Sequence, residues 1–248
     1  MSADVPNPNP DPSFPQTRWS VVALATDGDQ EVSKVGLERL CRIYWYPLYA
    51  FARRSGQSAP DAEDLTQGFF HALVSKDWLA VVDRNKGRVR TFLLTAFRRY
   101  MAKEWRRNSA EIRGGGVTLV PLDSLEAEHR YAEATPGLSA DGLFDRQWAL
   151  VLMERTFDGL KAEFEDTGKG SELAALKGTL MAGPGAIDYP ELASRLSMSE
   201  GAVRVAVHRM RKRFRTRFRK AVERTLEEGE DVEGELRYLA STLGEQGS

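Results

Sequence analysis

Apolar positions along this chain recur at helical spacing. From Thr17 to about Gly56 they run Trp19, Val22, Leu24, then Val35, Leu37, Leu40, Ile43, Tyr44, Leu48 and Phe51, with Asp27-Gly28-Asp29 between two helices. Pro47 lies inside the second pattern and is expected to kink that helix, not end it. Ser58-Ala59-Pro60 opens a third helix through about Val74, with proline in its first turn. A loop, Lys76–Arg88, leads to a fourth helix over Val89–Arg107, and Gly114-Gly115-Gly116 closes the unit. In this half no segment alternates with period two over enough residues to suggest a strand. Phe144–Phe164 resumes helical spacing, a short apolar helix is expected around Leu173–Leu180, and Val232, Leu236, Leu239 and Leu243 fit one amphipathic helix near the end.

The fold these patterns predict is all-α, two small helical domains joined by a flexible linker. Residues 1–16, rich in Pro, Asn and Asp, read as a disordered leader. The first domain is expected over 17–113, the linker over 114–143, the second domain over 144–222, and an acidic extension over 223–248. The linker mixes Pro, Gly, Ser and acids and is expected to hold only local turns.

The most specific local pattern is DYPELASRLSMSEGAVRVAVHRMRKRFRTRFR, Asp188–Arg219. Asp188 and Glu191 form a capping-box pattern at the start of one helix. Ser197-Met198-Ser199 makes a turn, with Ser199 as the next N-cap. Val203, Val207, Met210 and Phe214 then trace a narrow apolar stripe, while Arg204, His208, Arg209, Arg211, Lys212, Arg213 and Arg215 fill the other faces. No acid follows Glu200 until Glu223. A helix so basic is costly unless something neutralises it, and duplex DNA is the usual partner. The pattern is a helix-turn-helix with a DNA-reading second helix.

Global charge conceals this. The net charge is −1 and the pI about 6.4, yet Arg84–Arg113 and Arg204–Lys220 are basic and the last 26 residues acidic. Cys41 stands alone, and His71, His129 and His208 are far apart without metal-ligand spacing, so no disulfide framework, metal or cofactor is expected. No apolar run has the length of a membrane span and the N-terminus lacks a signal-peptide core, which predicts a cytoplasmic protein.

Two helices of the first half carry unlike faces. Leu65, Phe69, Ala72 and Leu73 make a packing face on the third, opposite Asp61, Asp64 and Gln67 with Glu63 beside them. Those acids are either a solvated helix N-terminus or a docking face for a basic partner. On the fourth, Arg88, Arg90, Arg98, Arg99, Lys103, Arg106 and Arg107 are interleaved with Phe92, Phe97, Tyr100 and Trp105. Cations for phosphates and aromatic planes for unstacked bases are the ingredients of single-strand binding. Phe92, Leu93 and Phe97 read better as core, whereas Tyr100 and Trp105 fit either role.

DAEDLTQGFF at Asp61–Phe70, RVRTFLLTAFRRYMAKEWRR after it and the helix-turn-helix further on resemble, in order and spacing, the bacterial sigma-70 factors of the compact extracytoplasmic-function type. LCRIYWYPLYAFARRSG, Leu40–Gly56, resembles their opening helices. The resemblance implies a subunit that binds core RNA polymerase and directs it to promoter DNA, with no catalytic residues. It implies polymerase docking through Asp61, Glu63, Asp64 and Gln67, with Leu65 and Phe69 behind them. It implies opening of the −10 element by Arg98, Arg99, Tyr100, Lys103, Trp105, Arg106 and Arg107, with a flipped base entering a pocket of the Lys76–Arg88 loop. For the −35 element it implies base contacts from Glu200, Gly201, Arg204, Val205 and His208, and phosphate contacts from Arg209, Arg211, Lys212 and Arg215. The family often has Glu where this chain has Gly68, and commonly Asn and Asp where it has Arg99 and Lys103. The glycine-rich segment before Asp188 is longer than the family pattern. In the linker, Asp123, Glu126, Glu128, Glu133 and Asp141 suit either a strand that mimics nucleic acid in the polymerase cleft or a solvated tether.

Compact members are often held inactive by a dedicated anti-sigma protein, and no residue pattern here identifies one. The rival function is a stand-alone helix-turn-helix regulator, which leaves the acidic and the basic-aromatic helices without a purpose. An enzyme acting on nucleic acid needs a carboxylate cluster for magnesium or a His-based constellation; the tight acids Asp61, Glu63 and Asp64 sit next to no basic nucleophile or histidine. The acidic extension either folds back on Arg204–Lys220 in competition with DNA or is a solubilising tail whose helix packs elsewhere.

Overall fold

The computed structural model describes residues 30–75, 88–110, 124–132, 137–183, 185–226 and 229–244. Among them nine α-helices and one 3-10 turn occur and no strand. The helices are α1 (Gln30–Arg54), α2 (Ala59–Ser75), α3 (Val89–Ala110), α4 (Ser124–Ala132), α5 (Ala140–Asp166), α6 (Gly170–Leu176), α7 (Tyr189–Leu196), α8 (Glu200–Glu223) and α9 (Val232–Gly244). The 3-10 turn, Lys177–Thr179, follows α6 directly. The leader, the helix around Trp19 and residues 76–87 of the loop pocket lie outside the described residues, as do Asp123, Glu133 and the side chain of Glu126. Helix α1 continues through Pro47, as expected from its unbroken apolar spacing.

The chain divides into two compact units, one built from residues 16–152 with 222–248, the other containing 153–221. These boundaries depart from the expected domains at 17–113 and 144–222. The first falls inside α5, because Phe144, Trp148 and Leu152 on its first half are buried in the larger unit, and Leu160 and Phe164 on its second half in the smaller.

In the larger unit, Leu40, Ile43, Tyr44 and Leu48 of α1 are almost wholly buried, with Phe69 and Leu73 of α2 and Leu93 and Phe97 of α3. Phe97 packs edge-on against Phe69 at 5.1 Å and against Phe51 at 6.2 Å. The buried side of α2 is Ala62, Thr66, Phe69 and Leu73; Leu65, expected on it, is half-buried. The +4, +3, +4 spacing of those four sets the stripe, and Thr66 joins it by donating its hydroxyl to the Ala62 carbonyl at 2.7 Å.

Two segments expected outside this core belong to it. The linker forms α4, whose Glu128 accepts from Arg53 at 2.6 and 3.0 Å and from the Tyr49 hydroxyl at 2.6 Å. The Arg53 hydrogen bonds hold the Glu128 carboxyl below the usual carboxylate range. The acidic extension forms α9, which buries Leu239 and Thr242 and closes on the start of α3. There Glu235 takes Arg90 at 2.9 Å and also Arg88, and Glu230 takes Arg88 at 3.0 Å. Two acids of the extension, Glu230 and Glu235, are thus paired with Arg88 and Arg90 at the start of α3. Arg146 of α5 donates to the carbonyls of Thr242 and Leu243 at 3.0 and 2.7 Å, capping the end of α9.

The smaller unit has one core: Leu160, Phe164, Leu173, Leu176, Leu192, Val203, Val207, Met210 and Phe214. The glycine-rich segment contributes through α6, whose two leucines account for its place in the fold. Asp188 caps α7 by accepting from the Glu191 amide at 2.9 Å, and Ser199 caps α8 by accepting from the Ala202 amide at 3.3 Å. Ser197 ends α7 in the left-handed region at φ 53°, turning the chain sharply into α8.

Candidate nucleic-acid interface

Burial of Val203, Val207, Met210 and Phe214 fixes the rotation of α8, and that rotation decides what its other faces present. Glu200, Gly201, Arg204, Val205, His208, Arg209, Lys212 and Arg215 are all exposed. Val205 keeps 49 % of its surface in solvent, an apolar side chain among cations at the start of the helix. Arg204 lies over the Tyr189 ring, 3.9 Å from its centroid, and 3.8 Å from Glu200. Arg211 departs from the expected phosphate set. It turns back onto the glycine-rich segment and donates to the Thr179 carbonyl at 2.6 and 3.0 Å and to the Ala182 carbonyl at 2.6 Å. Arg213 and Arg217 share Glu163 of α5, at 3.4 and 2.5 Å.

On α3 the basic-aromatic series splits. Leu93 and Phe97 are core, and Phe92 is half-buried. Tyr100 is half-buried against Phe69 at 5.8 Å, its hydroxyl over Gly68. A Cβ at residue 68 would collide with that hydroxyl, a physical reason for glycine where the family often carries an acid. Trp105, by contrast, is 70 % exposed. Arg99, Lys103 and Arg106 are exposed along one stripe at +4 and +3. Arg98 is paired with Asp141 and sits over the Phe51 ring at 5.2 Å, and Arg107 is paired with Glu104 at 2.9 Å. Asp141 and Glu128, candidates for a nucleic-acid mimic, thus spend their charge on arginines of the same unit.

On α2, Asp61 and Asp64 are exposed and Glu63 and Gln67 half-buried. The Ser58 hydroxyl donates to Asp61 at 2.5 Å, and the Gln67 amide donates to Glu63 at 3.0 Å. Asp61 and Asp64 are thus the exposed carboxylates of the group.

These three surfaces occur in the order of the resemblance, and the family comparison agrees over most of the chain: the model described as ECF sigma factor matches residues 20–220. The chain belongs to the ECF sigma factor family. Searches of curated proteins and of solved structures found no match. An ECF sigma factor acts in transcription initiation, and the family implies RNA polymerase and promoter DNA as partners, with an anti-sigma factor as a typical third. No helix among the described residues of this sigma factor is long and apolar enough to cross a membrane. Among those residues no group of three or more His, Cys, Asp or Glu could hold a metal ion. Burial pushes the Cys41 thiol up to about 12, helped by Glu38, which makes it a poor nucleophile.

Sequence reasoning missed the internal partners of Arg98 and Arg211. For Arg211 the acceptors are main-chain carbonyls 29 and 32 positions earlier, which carry no residue-type signal. For Arg98 an available signal was the helical spacing of Phe144, Trp148 and Leu152, which extends back through Asp141.

Proposed function

We propose that this sigma factor docks on core RNA polymerase through the outer face of α2, opens the −10 element with α3 and reads the −35 element with α8. What carries the reading is the division of α8 into a buried apolar stripe and an exposed face holding Arg204, Val205, His208, Arg209 and Lys212. A helix inserted in the major groove needs such a face: side chains near its start to reach base edges, and cations farther along for phosphates. Arg204 takes the base-reading role, since bidentate arginine on guanine is the commonest specific contact. Arg209, Lys212 and Arg215 hold phosphates. On α3 the set is Arg99, Lys103 and Arg106 for the backbone of the opened strand and Trp105 for stacking. Arg98 and Arg107, engaged by Asp141 and Glu104, are secondary. Polymerase docking rests on Asp64 and Asp61, carboxylates that accept charge-assisted bonds from a basic partner surface.

The test is co-elution of the purified chain with core RNA polymerase of its own host on a sizing column, beside Asp64→Arg. Binding that the charge reversal abolishes supports the docking face. A wild type that fails to bind core while still shifting duplex DNA overturns the docking assignment.

A further inference from the structure

The start of α7 and the second turn of α8 meet at one side-chain pair. Arg204 places its guanidinium over the face of Tyr189, 3.9 Å from the ring centroid. Tyr189 cannot turn away readily. It is the first residue of α7, immediately after the Asp188 cap and before Pro190, and its ring is half-buried against the core of the smaller unit. The platform is therefore fixed by the fold, while Arg204 remains 57 % exposed at the side chain.

A guanidinium stacked on a ring uses its face and leaves its in-plane N–H donors pointing outward. Those donors form the fork that matches guanine O6 and N7. Glu200 stands 3.8 Å away, near enough to attract the cation and too far for a hydrogen bond, so it does not occupy the fork. A long arginine on a bare helix surface samples many rotamers and must lose that freedom on binding. Here the stack restrains it beforehand.

We propose that Tyr189 is a positioning residue for DNA recognition: its ring holds Arg204 in the orientation that reads a guanine in duplex DNA. The inference rests on the assignment of α8 to the −35 element and adds to it a specificity determinant outside the recognition helix. Arg209 and Lys212, which hold phosphates, do not depend on it.

The test uses holoenzyme reconstituted with the full chain and a pool of promoter fragments randomised over the −35 hexamer. Binding to the selected sequence and to its single-base variants is compared for wild type, Arg204→Ala, Tyr189→Phe and Tyr189→Leu. Arg204→Ala is expected to lose discrimination at one guanine by roughly tenfold or more. Tyr189→Leu keeps an apolar side chain on the core and is expected to lose about two- to fivefold of the same discrimination. Its affinity for non-specific duplex and its salt dependence stay unchanged, and Tyr189→Phe retains wild-type discrimination. Should Arg204→Ala relax specificity while Tyr189→Leu does not, the positioning role is overturned and the base-reading role stands. Unaltered discrimination in Arg204→Ala overturns the base-reading assignment itself. An equal loss at every position in Tyr189→Leu marks a folding defect and overturns the positioning role too.

Discussion

Arg90 and Glu235 form an ion pair at 2.9 Å with side chains only 9 % and 3 % exposed, joining the start of α3 to a helix that follows it by more than a hundred residues. The pair is not isolated. Asp145 reaches Arg90 at 3.2 Å, Arg88 adds a second guanidinium on Glu235, and the Arg90 guanidinium lies 4.5 Å from the centroid of the buried Trp148 ring. Removing one member of such a buried network leaves an uncompensated charge, which costs about 3–5 kcal/mol. Glu235→Ala is expected to lower stability toward that range in urea unfolding. A Glu235→Leu, Arg90→Met double variant is expected to lose less, because the two most buried charges leave together while Arg88 keeps Glu230 and Asp145 keeps the Tyr238 hydroxyl. Truncation after Arg224 removes the whole helix and is expected to lower the melting midpoint; higher promoter affinity with unchanged stability contradicts the role of α9 as core.

The Gly68–Tyr100 contact predicts a coupling. Alanine in a helix interior is better than glycine by about 1 kcal/mol, but here its Cβ meets the Tyr100 hydroxyl. Gly68→Ala is therefore expected to gain more stability in a Tyr100→Phe background than in the wild type. A double-mutant cycle by chemical denaturation measures the difference, and additivity rules the contact out as the reason for glycine.

The cations of α8 divide by their surroundings, Lys212 being exposed and Arg211 bound to main-chain carbonyls. Lys212→Ala is expected to reduce the slope of log K against log salt for duplex DNA by about 0.9, the signature of one lost phosphate contact. Arg211→Met is expected to leave that slope unchanged. Instead it releases the carbonyls of Thr179 and Ala182, seen as faster amide exchange between the 3-10 turn and Asp188.

Glu128 gives a pH dependence with a defined sign. Its folded-state pKa is lowered, first by the Arg53 hydrogen bonds and also by the Tyr49 hydroxyl. A depressed carboxyl contributes stability above its unfolded pKa, about 4.3, and loses it as pH falls through the folded value. The stability gap between wild type and Glu128→Gln is expected to be largest near neutral pH and to close below about pH 4. A gap that is flat from pH 7 to pH 3 refutes the pairing.

What the sequence determined by itself is what depends on neighbours a few residues apart. The spacing of Val203, Val207, Met210 and Phe214 set the buried stripe of α8 and so its exposed face. Asp188 and Ser199 announced the two caps, since a cap bonds to an amide three residues on. The acids of α2 and the basic series of α3 were likewise legible, because type and order alone carry the resemblance. Tertiary structure decided which charges face outward. Arg98, Arg211, Glu128 and Glu235 look in sequence like any surface cation or acid, yet each meets a partner brought close only by folding. The same holds for the unit boundaries: one helical pattern from Ala140 to Asp166 gives no sign that its halves bury against different cores. The physical reason is range. Helix periodicity and capping act within one or two turns, whereas ion pairing and burial depend on distance in space, which the order of residues does not contain.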